Sequence, residues 1–222
     1  MAVIIINPNS TASMTDAMVA AARKAAPQIQ FEGWTSQNGP PAIQGEADGA
    51  VATPHLLELV GRASDTGADG VIIGCFDDTA LQDAACLARC PVIGLGQASY
   101  HYAALRQWKF SVVTTLAVSV PVLEANIHSH GLGHYLAKVR ASDVPVLELE
   151  ANPGLSGAAI KAEALRAQET DGVSAVILGC AGMVQVVEDV GAALDIVTID
   201  PVACAAQSMR WLVTGSDGVS RT

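Results

Sequence analysis

The sequence is poor in charged residues, and in positively charged ones most of all. Of its 222 residues only 12 are Lys or Arg, against 22 Asp or Glu, so the formal net charge is −10. Binding to a nucleic-acid backbone needs clustered Lys and Arg, and this balance therefore argues against a nucleic-acid partner. Half of the residues are apolar. The chain can thus bury a sizeable core and still form a subunit interface, and we expect a homo-oligomer.

Membrane spans, an export signal and a disulfide framework are also missing. No apolar run approaches the ~20 residues of a membrane helix. Met1 leads directly into a strand-like segment, without the basic and long apolar regions of a signal peptide. The cysteines number five, an odd count without regular spacing, which favours free thiols in a reducing compartment. We expect a soluble, cytoplasmic protein with no membrane partner.

An internal repeat is centred on two cysteines. A short β-branched run ends in Gly74-Cys75-Phe76-Asp77-Asp78, and a similar run in the second half ends in Gly179-Cys180-Ala181-Gly182. At the same spacing after each cysteine, Val92 and Val197 lie in another strand-like segment. The repeat indicates two similar halves with one thiol each.

Strands alternate with helical segments in both halves, which predicts an α/β protein with parallel sheets. We expect two pseudo-symmetric Rossmann-like domains, each with a mainly parallel sheet flanked by helices, and an active site in the cleft between them. Residues 1–95 plus 205–222 are assigned to the first domain and residues 96–204 to the second. The apolar tail is expected to cross back and brace the first half.

Gly, Pro and polar residues that begin or end helices and strands predict several local elements. A helix is expected over residues 12–26. Residues 36–52 have no helical period and several Gly and Pro, which predicts a long loop of the kind that often forms a lid. Thr53-Pro54 predicts the next helix start, with an N-cap followed by proline in the first position. Residues 146–149 predict a strand.

Two patterns that resemble cofactor or metal motifs are incomplete. Gly94-Leu95-Gly96 lacks the third glycine that a dinucleotide-binding loop requires. Cys86 and Cys90 lie four residues apart on a predicted helix, but nothing nearby completes a tetrahedral metal site. We expect neither a cofactor nor a metal.

Cys75 and Cys180 are the candidates for chemistry. Each follows a glycine at the carboxyl end of a predicted strand, where open α/β sheets bind ligands. A helix N-terminus nearby is expected to lower the pKa of each thiol from ~8.5. Facing each other across a cleft, one thiolate can remove a proton from a carbon acid while the other thiol returns one to the opposite face. The stereocentre then inverts without a cofactor.

Two other interpretations of these cysteines are open. They could be buried core residues of duplicated strands, since Cys is often fully buried. A nucleophilic hydrolase would need one thiol and a histidine base. No histidine adjoins either Gly-Cys turn, although His101 could be near in space. Asn9 and Ser10, after the first strand, are likewise open to two roles: capping of the next helix or contact with a ligand.

Together these residues resemble the aspartate/glutamate/hydantoin racemase superfamily, and within it the hydantoin and allantoin racemase branch. The matching segments cover nearly the whole chain: Asn7-Pro8-Asn9-Ser10, Gly39-Pro40 with Ile43, Gly74-Cys75-Phe76-Asp77-Asp78, Ser111-Val112-Val113-Thr114-Thr115, Leu178-Gly179-Cys180-Ala181-Gly182-Met183 and Asp200-Pro201-Val202. The resemblance implies cofactor-independent racemisation with Cys75 and Cys180 as acid and base.

The resemblance also implies a set of substrate-binding residues, namely Asn9, Ile43, Phe76, Thr114, Thr115, Ala181 and Gly182. The Asn and Thr side chains would bind polar atoms of the substrate, and the Ile and Phe side chains would form an apolar wall. Backbone N–H groups beside the two cysteines would hold carbonyl oxygens whose negative charge grows as the proton leaves.

The sequence departs from the pattern of the amino-acid racemases. Those enzymes have Asp-Ser in the first loop and Asn-Thr after the first cysteine, where this chain has Asn-Pro-Asn and Phe-Asp. The carboxylate that would hold an α-ammonium group is missing, so a neutral cyclic ureide fits better than free aspartate or glutamate. The related arylmalonate decarboxylases use one of the two cysteines, and the presence of both argues against decarboxylation.

The expected substrates are therefore 5-substituted hydantoins or allantoin. One alternative is a racemase or isomerase of another small carbon acid, such as an amino acid. A second alternative, outside the enzymes, is a small-molecule binding protein.

Overall fold

A computed structural model describes residues 2–214 of the chain. The strands within them are β1 (Val3–Asn7), β2 (Phe31–Thr35), β3 (Gly70–Ile73), β4 (Val92–Gly94), β5 (Phe110–Thr114), β6 (Leu136–Ala141), β7 (Ala175–Gly179) and β8 (Val197–Ile199). They form two four-stranded sheets, in the orders β2-β1-β3-β4 and β6-β5-β7-β8. All these pairings are parallel. Because the two orders are the same, the predicted α/β class with two similar halves is confirmed.

Helices connect the strands and cover the sheets. They are α1 (Ala12–Ala25), α2 (Glu46–Asp65), α3 (Leu81–Leu87), α4 (Leu95–Leu105), α5 (Val120–Ser129), α6 (Glu148–Ala151), α7 (Pro153–Thr170), α8 (Val187–Gly191) and α9 (Pro201–Thr214). Short 3-10 helices span Ala117–Ser119 and Ala181–Gln185. Among the residues described, no helix has the length and apolar character to cross a membrane.

The inner strands of both sheets are buried along their whole length. Every residue of β1, β3, β5 and β7 is buried. Strands covered by helices on both faces are apolar without interruption, and this accounts for the β-branched runs in the sequence. In each sheet the chain passes from an inner strand (β1 or β5) to the edge strand beside it (β2 or β6), and then crosses back to the second inner strand (β3 or β7). Such a reversal of strand order leaves a crevice at the carboxyl ends of the two inner strands.

Helices α1 and α9 join the parts of the molecule. Helix α9 packs against α1 and α4 and also contacts β3, so the apolar tail does return to the first half. Helix α1 also contacts the 3-10 helix Ala181–Gln185, which follows β7. The domain boundaries at residues 95/96 and 204/205 stay a prediction, and residues 215–222 of the first domain lie outside the described residues.

The prediction of a loop over residues 36–52 is wrong in its second part. Helix α2 begins at Glu46, and Pro54 lies inside it rather than at its start. The Thr53 hydroxyl donates to the Gly49 carbonyl (2.9 Å), and Ala52 is fully buried, so the turns before the proline are held by local bonds and by packing. Pro54 is exposed, and its ring removes only one main-chain hydrogen bond.

The prediction of a strand at residues 146–149 is also wrong. This segment is a turn that enters α6, and the edge strand of the second sheet is β6, which precedes it. Val146 and Leu149 are nevertheless buried, because Leu149 packs in the cluster that covers the second sheet and Val146 packs with Met14 and Ala42. Strand β6 went unrecognised because its sequence carries Lys138 and Arg140, and only partners distant in the chain allow Arg140 to be buried.

Candidate active site

Both cysteines lie at the crevice that the sheet topology creates. Cys75 follows β3 after Gly74, and Cys180 follows β7 directly. They line one cavity with a volume of about 30 Å³. The other residues that line it are Asn9, Met14, Ile43, Gly74, Phe76, Asp77, Thr115, Ser119, Val146, Gly179, Ala181 and Gly182. The two halves of the chain thus contribute one thiol each to the same space.

Of the site residues predicted from the sequence, all but Thr114 line this cavity. The Thr114 hydroxyl donates to the carbonyl of Gly179 (3.1 Å), and its side chain is buried between neighbouring strands. It holds β5 against β7 and does not present its oxygen to the cavity. Thr115, the next residue, does line the cavity. That these residues bind a substrate stays a prediction.

Sequence reasoning missed four side chains of the cavity wall. Met14 lies on α1 and Ser119 ends a 3-10 helix, and neither carries a local signal. Val146 was assigned to a strand. Asp77 stands two residues after Cys75, and an acidic side chain so close to a candidate base is the signal that would have found it.

Asn9 lies just before the start of α1 and also borders the cavity, while its contact with a ligand stays a prediction. Its Oδ1 accepts hydrogen bonds from the Asn7 side chain (2.9 Å) and from the Thr11 N–H (2.9 Å) at the start of α1. Thr11 is the N-cap residue and makes no side-chain cap bond of its own. Asn9 therefore supports the start of the helix while its side chain also borders the cavity.

The cavity has an apolar wall on the side of each cysteine. Met14 and Val146 belong to a small buried cluster that packs against Cys180. On the other side, Phe76 is 2% exposed and meets the ring of Tyr100 edge-on, with the ring centroids 5.5 Å apart. These contacts cover part of both cysteines, which have intermediate exposure, whereas Cys86 is exposed.

Comparisons with known proteins show the family of this chain. A family model described as Asp/Glu/Hydantoin racemase matches residues 3–209. The chain belongs to this racemase family. The hydantoin racemase of Rhizobium meliloti is 35% identical to it over 222 residues, which is 100% of this chain and 92% of the relative.

Solved structures of allantoin racemases have the same fold. The enzyme from Klebsiella pneumoniae superposes with a TM-score of 0.92 at 33% identity, over 100% of this chain and 90% of that one. The enzyme from Pseudomonas fluorescens gives a TM-score of 0.92 at 30% identity, over 100% and 94%. The family and the racemase activity predicted from the sequence are confirmed.

Burial raises the pKa of both cavity thiols in this racemase. The pKa of Cys75 lies well above its ordinary value because of burial and the charge of Asp77, although hydrogen bonding from Thr79 and from the Asp77 N–H lowers it. Burial raises the pKa of Cys180 to about 12, against hydrogen bonds from the N–H groups of Gly182 and Met183.

The predicted lowering of these pKa values is therefore wrong for the enclosed cavity. A short 3-10 helix does begin after Cys180 and supplies N–H groups, as expected, but desolvation of the thiolate outweighs them. After Cys75 the next helix, α3, begins only at Leu81.

The loop after Cys75 is held by the start of α4. Oxygens of the Asp78 carboxyl group accept hydrogen bonds from the N–H groups of Gly96 (3.0 Å) and Gln97 (2.7 Å). A Cβ atom on Gly94 would lie 1.9 Å from Asp78 Oδ1. Glycine at this position thus lets the Asp78 carboxyl group approach the helix start. The Gly94-Leu95-Gly96 segment, which resembles part of a nucleotide motif, binds a side chain of the racemase itself.

Proposed function

We propose that this racemase inverts C5 of 5-substituted hydantoins or of allantoin, by proton transfer between the substrate and the thiols of Cys75 and Cys180, without a cofactor. The observation that carries the proposal is that both thiols line one cavity although they come from different halves of the chain. The hydantoin and allantoin racemases among its relatives support this substrate class.

In the proposed reaction one cysteine acts as a thiolate and the other as a thiol. The thiolate forms an S–H bond with the C5 proton as the C5–H bond breaks, and the electron pair moves toward the adjacent carbonyl oxygen. The opposite thiol then donates its proton to the other face of C5, and the roles of the two sulfurs are exchanged. Because burial raises both pKa values, each thiolate, once formed, is a strong base toward a weakly acidic C–H group.

The charge of the cavity favours a neutral substrate. No Lys, Arg or His belongs to the residues that line it, and its ionisable groups are the two thiols and Asp77. The carboxylate of an amino acid would have no cationic partner there and would be repelled by Asp77. A neutral ureide has no such cost. We therefore favour hydantoins and allantoin over an amino acid as the carbon acid.

The size of the cavity implies that it opens for the substrate. A volume of about 30 Å³ accommodates one or two water molecules. A hydantoin ring needs more space, so the walls have to separate before binding and can close again around the ring. Closure then excludes water from the proton transfer.

The experiment that tests the proposal follows each proton separately. In deuterated solvent, the Cys75→Ser and Cys180→Ser variants should each exchange the C5 proton of one enantiomer of the substrate without inverting it. The two variants should prefer opposite enantiomers. Loss of an acid–base group commonly costs ~10²- to 10⁴-fold in rate, and racemisation should fall by that range. NMR measures the exchange and polarimetry the inversion.

Controls separate this mechanism from the alternatives. Cys86→Ser is the matched control, because Cys86 is exposed and does not line the cavity, and this variant should racemise at the parent rate. All rates are taken above a reaction without enzyme. If both cavity variants favoured the same enantiomer, or if either kept the parent rate, the two-base mechanism would be wrong. Binding without any exchange would instead indicate a binding protein.

We also propose that the protein acts as a homo-oligomer in the cytoplasm. The low content of charged residues supports an additional subunit interface, and so do exposed apolar side chains such as Leu105 (79% exposed) and Trp211 (70% exposed). Sedimentation equilibrium measures the mass of the assembly. A mass equal to that of one chain at micromolar concentration would contradict this part of the proposal.

A further inference from the structure

Two polar groups in the wall of the cavity have no partner. Asp77 Oδ2 and Ser119 Oγ are both buried, and neither has a hydrogen-bond partner among residues 2–214. Buried polar groups are rarely left unpaired in native proteins, because each loses its hydration without compensation. Both residues line the same cavity as the two cysteines. The pair is therefore suited to receive polar atoms of a ligand.

The surroundings hold Asp77 and Ser119 close to the same point. The Asn126 side chain donates to the Asp77 carbonyl (2.7 Å) and fixes the main chain there. Interaction with the Gly45 N–H favours the charged form of the Asp77 carboxyl group. Gly45 in turn lies against Val118, the neighbour of Ser119, since a Cβ on Gly45 would be 3.0 Å from the Val118 side chain.

The Asp77 carboxylate is also close to the reacting sulfurs. Its charge raises the pKa of both Cys75 and Cys180. Burial raises the pKa of Asp77 itself to about 6, against the Gly45 N–H and with a further increase from Asp48. The carboxylate is thus the main form at pH 7, and a carboxylate only accepts hydrogen bonds. A ligand atom that satisfies it must carry an N–H or O–H group.

We infer that Asp77 and Ser119 form a specificity pocket for a C5 substituent that carries both N–H donors and a carbonyl, as a ureido group does. The inference rests on the proposed function and deepens it. The Asp77 carboxylate accepts from the ureido N–H groups, and the Ser119 hydroxyl donates to the ureido oxygen. An alkyl substituent in this place satisfies neither group and leaves Asp77 Oδ2 buried without a partner, which a polar site penalises strongly. Allantoin is the hydantoin with such a substituent.

The test compares two substrates whose C5 substituents have the same size. The ureido group of allantoin and the isobutyl group of 5-isobutylhydantoin have the same number of heavy atoms and the same branching, and differ in their hydrogen-bonding groups. The parent racemase should convert allantoin with a kcat/KM at least ~10-fold higher, as expected for hydrogen bonds to a charged group. Asp77→Ala should lower this preference roughly 10- to 100-fold. Asp77→Asn and Ser119→Ala should lower it less. Because the charge of Asp77 also acts on both sulfurs, the readout in each variant is the ratio of the two kcat/KM values.

Asp48→Asn is the matched control. Asp48 is an acidic neighbour of Asp77 and influences its pKa, but it does not line the cavity, so the preference for allantoin should persist in this variant. Far-UV circular dichroism checks that each variant is folded. The inference is overturned if the parent converts both substrates equally well, a comparison that needs no variant. It is also overturned if the folded Asp77 variants lose both substrates to the same extent.

These outcomes also separate the inference from the proposed function. If the parent protein racemises 5-isobutylhydantoin as readily as allantoin, the proposed function is supported and the specificity pocket is contradicted. If the parent protein racemises neither compound faster than the reaction without enzyme, both the proposed function and the specificity pocket are contradicted.

Discussion

Asp78 shows how a single side chain can position the candidate active site. It adopts a positive φ of 50°, which most residues with a side chain avoid, and places its carboxyl group on the first N–H groups of α4. Burial raises its pKa to about 8, although the hydrogen bonds from Gln97 and Gly96 lower it. A neutral side chain with an acceptor oxygen is therefore a good substitute at this position.

At the residue scale we predict that Asp78→Ala destabilises the protein by about 1–3 kcal/mol, because two N–H groups at the start of α4 lose their acceptor. Asp78→Asn should cost about 1 kcal/mol or less, since Asn tolerates positive φ and still offers one acceptor oxygen. Urea denaturation at pH 7 measures both values. An Asp78→Ala variant as stable as the parent would show that the cap contributes nothing.

At the scale of elements, a buried ionic network attaches the edge strand β6. The Arg140 guanidinium donates to Asp171 Oδ2 (2.7 Å), to Glu163 (2.7 Å) and to Thr170 (2.7 Å), and the Ser111 hydroxyl also donates to Asp171. The Arg140 and Asp171 side chains are each 7% exposed. The network thereby connects β6 with β5 and with the end of α7.

We predict that Arg140→Met lowers the free energy of unfolding by about 3–5 kcal/mol at pH 7, because it leaves buried carboxylates without a partner. Arg166→Met is the control. Arg166 also pairs with Glu163 (2.6 Å) but its side chain is 62% exposed, so its loss should change stability by less than about 1 kcal/mol. Equal effects of the two substitutions would contradict a special role of the buried arginine.

The same network predicts that the stability of the protein depends on pH in the acidic range. Hydrogen bonding from Arg140 lowers the pKa of Asp171 to about 2. The pKa of an Asp carboxyl group in the unfolded chain is ~3.9. A carboxyl group whose pKa is lower in the folded state stabilises the fold at pH values above ~3.9, and this contribution is lost as the pH falls toward the pKa of the folded state. Asp171→Asn should therefore be less stable than the parent at pH 7 and lose less further stability between pH 5 and pH 2. Chemical denaturation across this range compares them.

At the scale of the whole molecule, the two halves enclose the thiols between them. Cys75 and Cys180 line a cavity of about 30 Å³, and burial raises the pKa of both, whereas Cys86 is exposed on α3. Alkylation needs both access and a thiolate. The reactivity of the cysteines thus reports how often the halves separate.

We predict that iodoacetamide at pH 7 modifies Cys86 at least ~10-fold faster than Cys75 or Cys180. Allantoin should slow modification of the two cavity cysteines further and leave Cys86 unaffected. Mass spectrometry of peptides over time follows each residue separately. Cavity cysteines that react as fast as Cys86 would contradict an enclosed site.

The sequence by itself determined the architecture and the two candidate reacting groups. The inner strands are buried on both faces, so they appear as uninterrupted apolar runs, and each run of a matching pair ends in Gly-Cys. Parallel strands place their following loops at one edge, which is why the sequence predicts one site for Asn9, Cys75 and Cys180. Thr115 is assigned to this site by the resemblance to the racemase family.

Only the tertiary structure decided the features that depend on contacts between distant residues. Arg140 of β6 can be buried because it pairs with Asp171, and the turns of α2 before its proline are packed because Ala52 is buried. Thr114 turns away from the cavity because Gly179 accepts its hydroxyl. Burial by residues distant in the chain raises the pKa of both thiols, and Asp77 is a candidate specificity residue because its Oδ2 is buried without a partner among residues 2–214. Local sequence does not encode desolvation, since the groups that displace water are distant in the chain: Cys75 packs against a cluster that includes Ile6 and Leu56, and Cys180 packs against one that includes Met14.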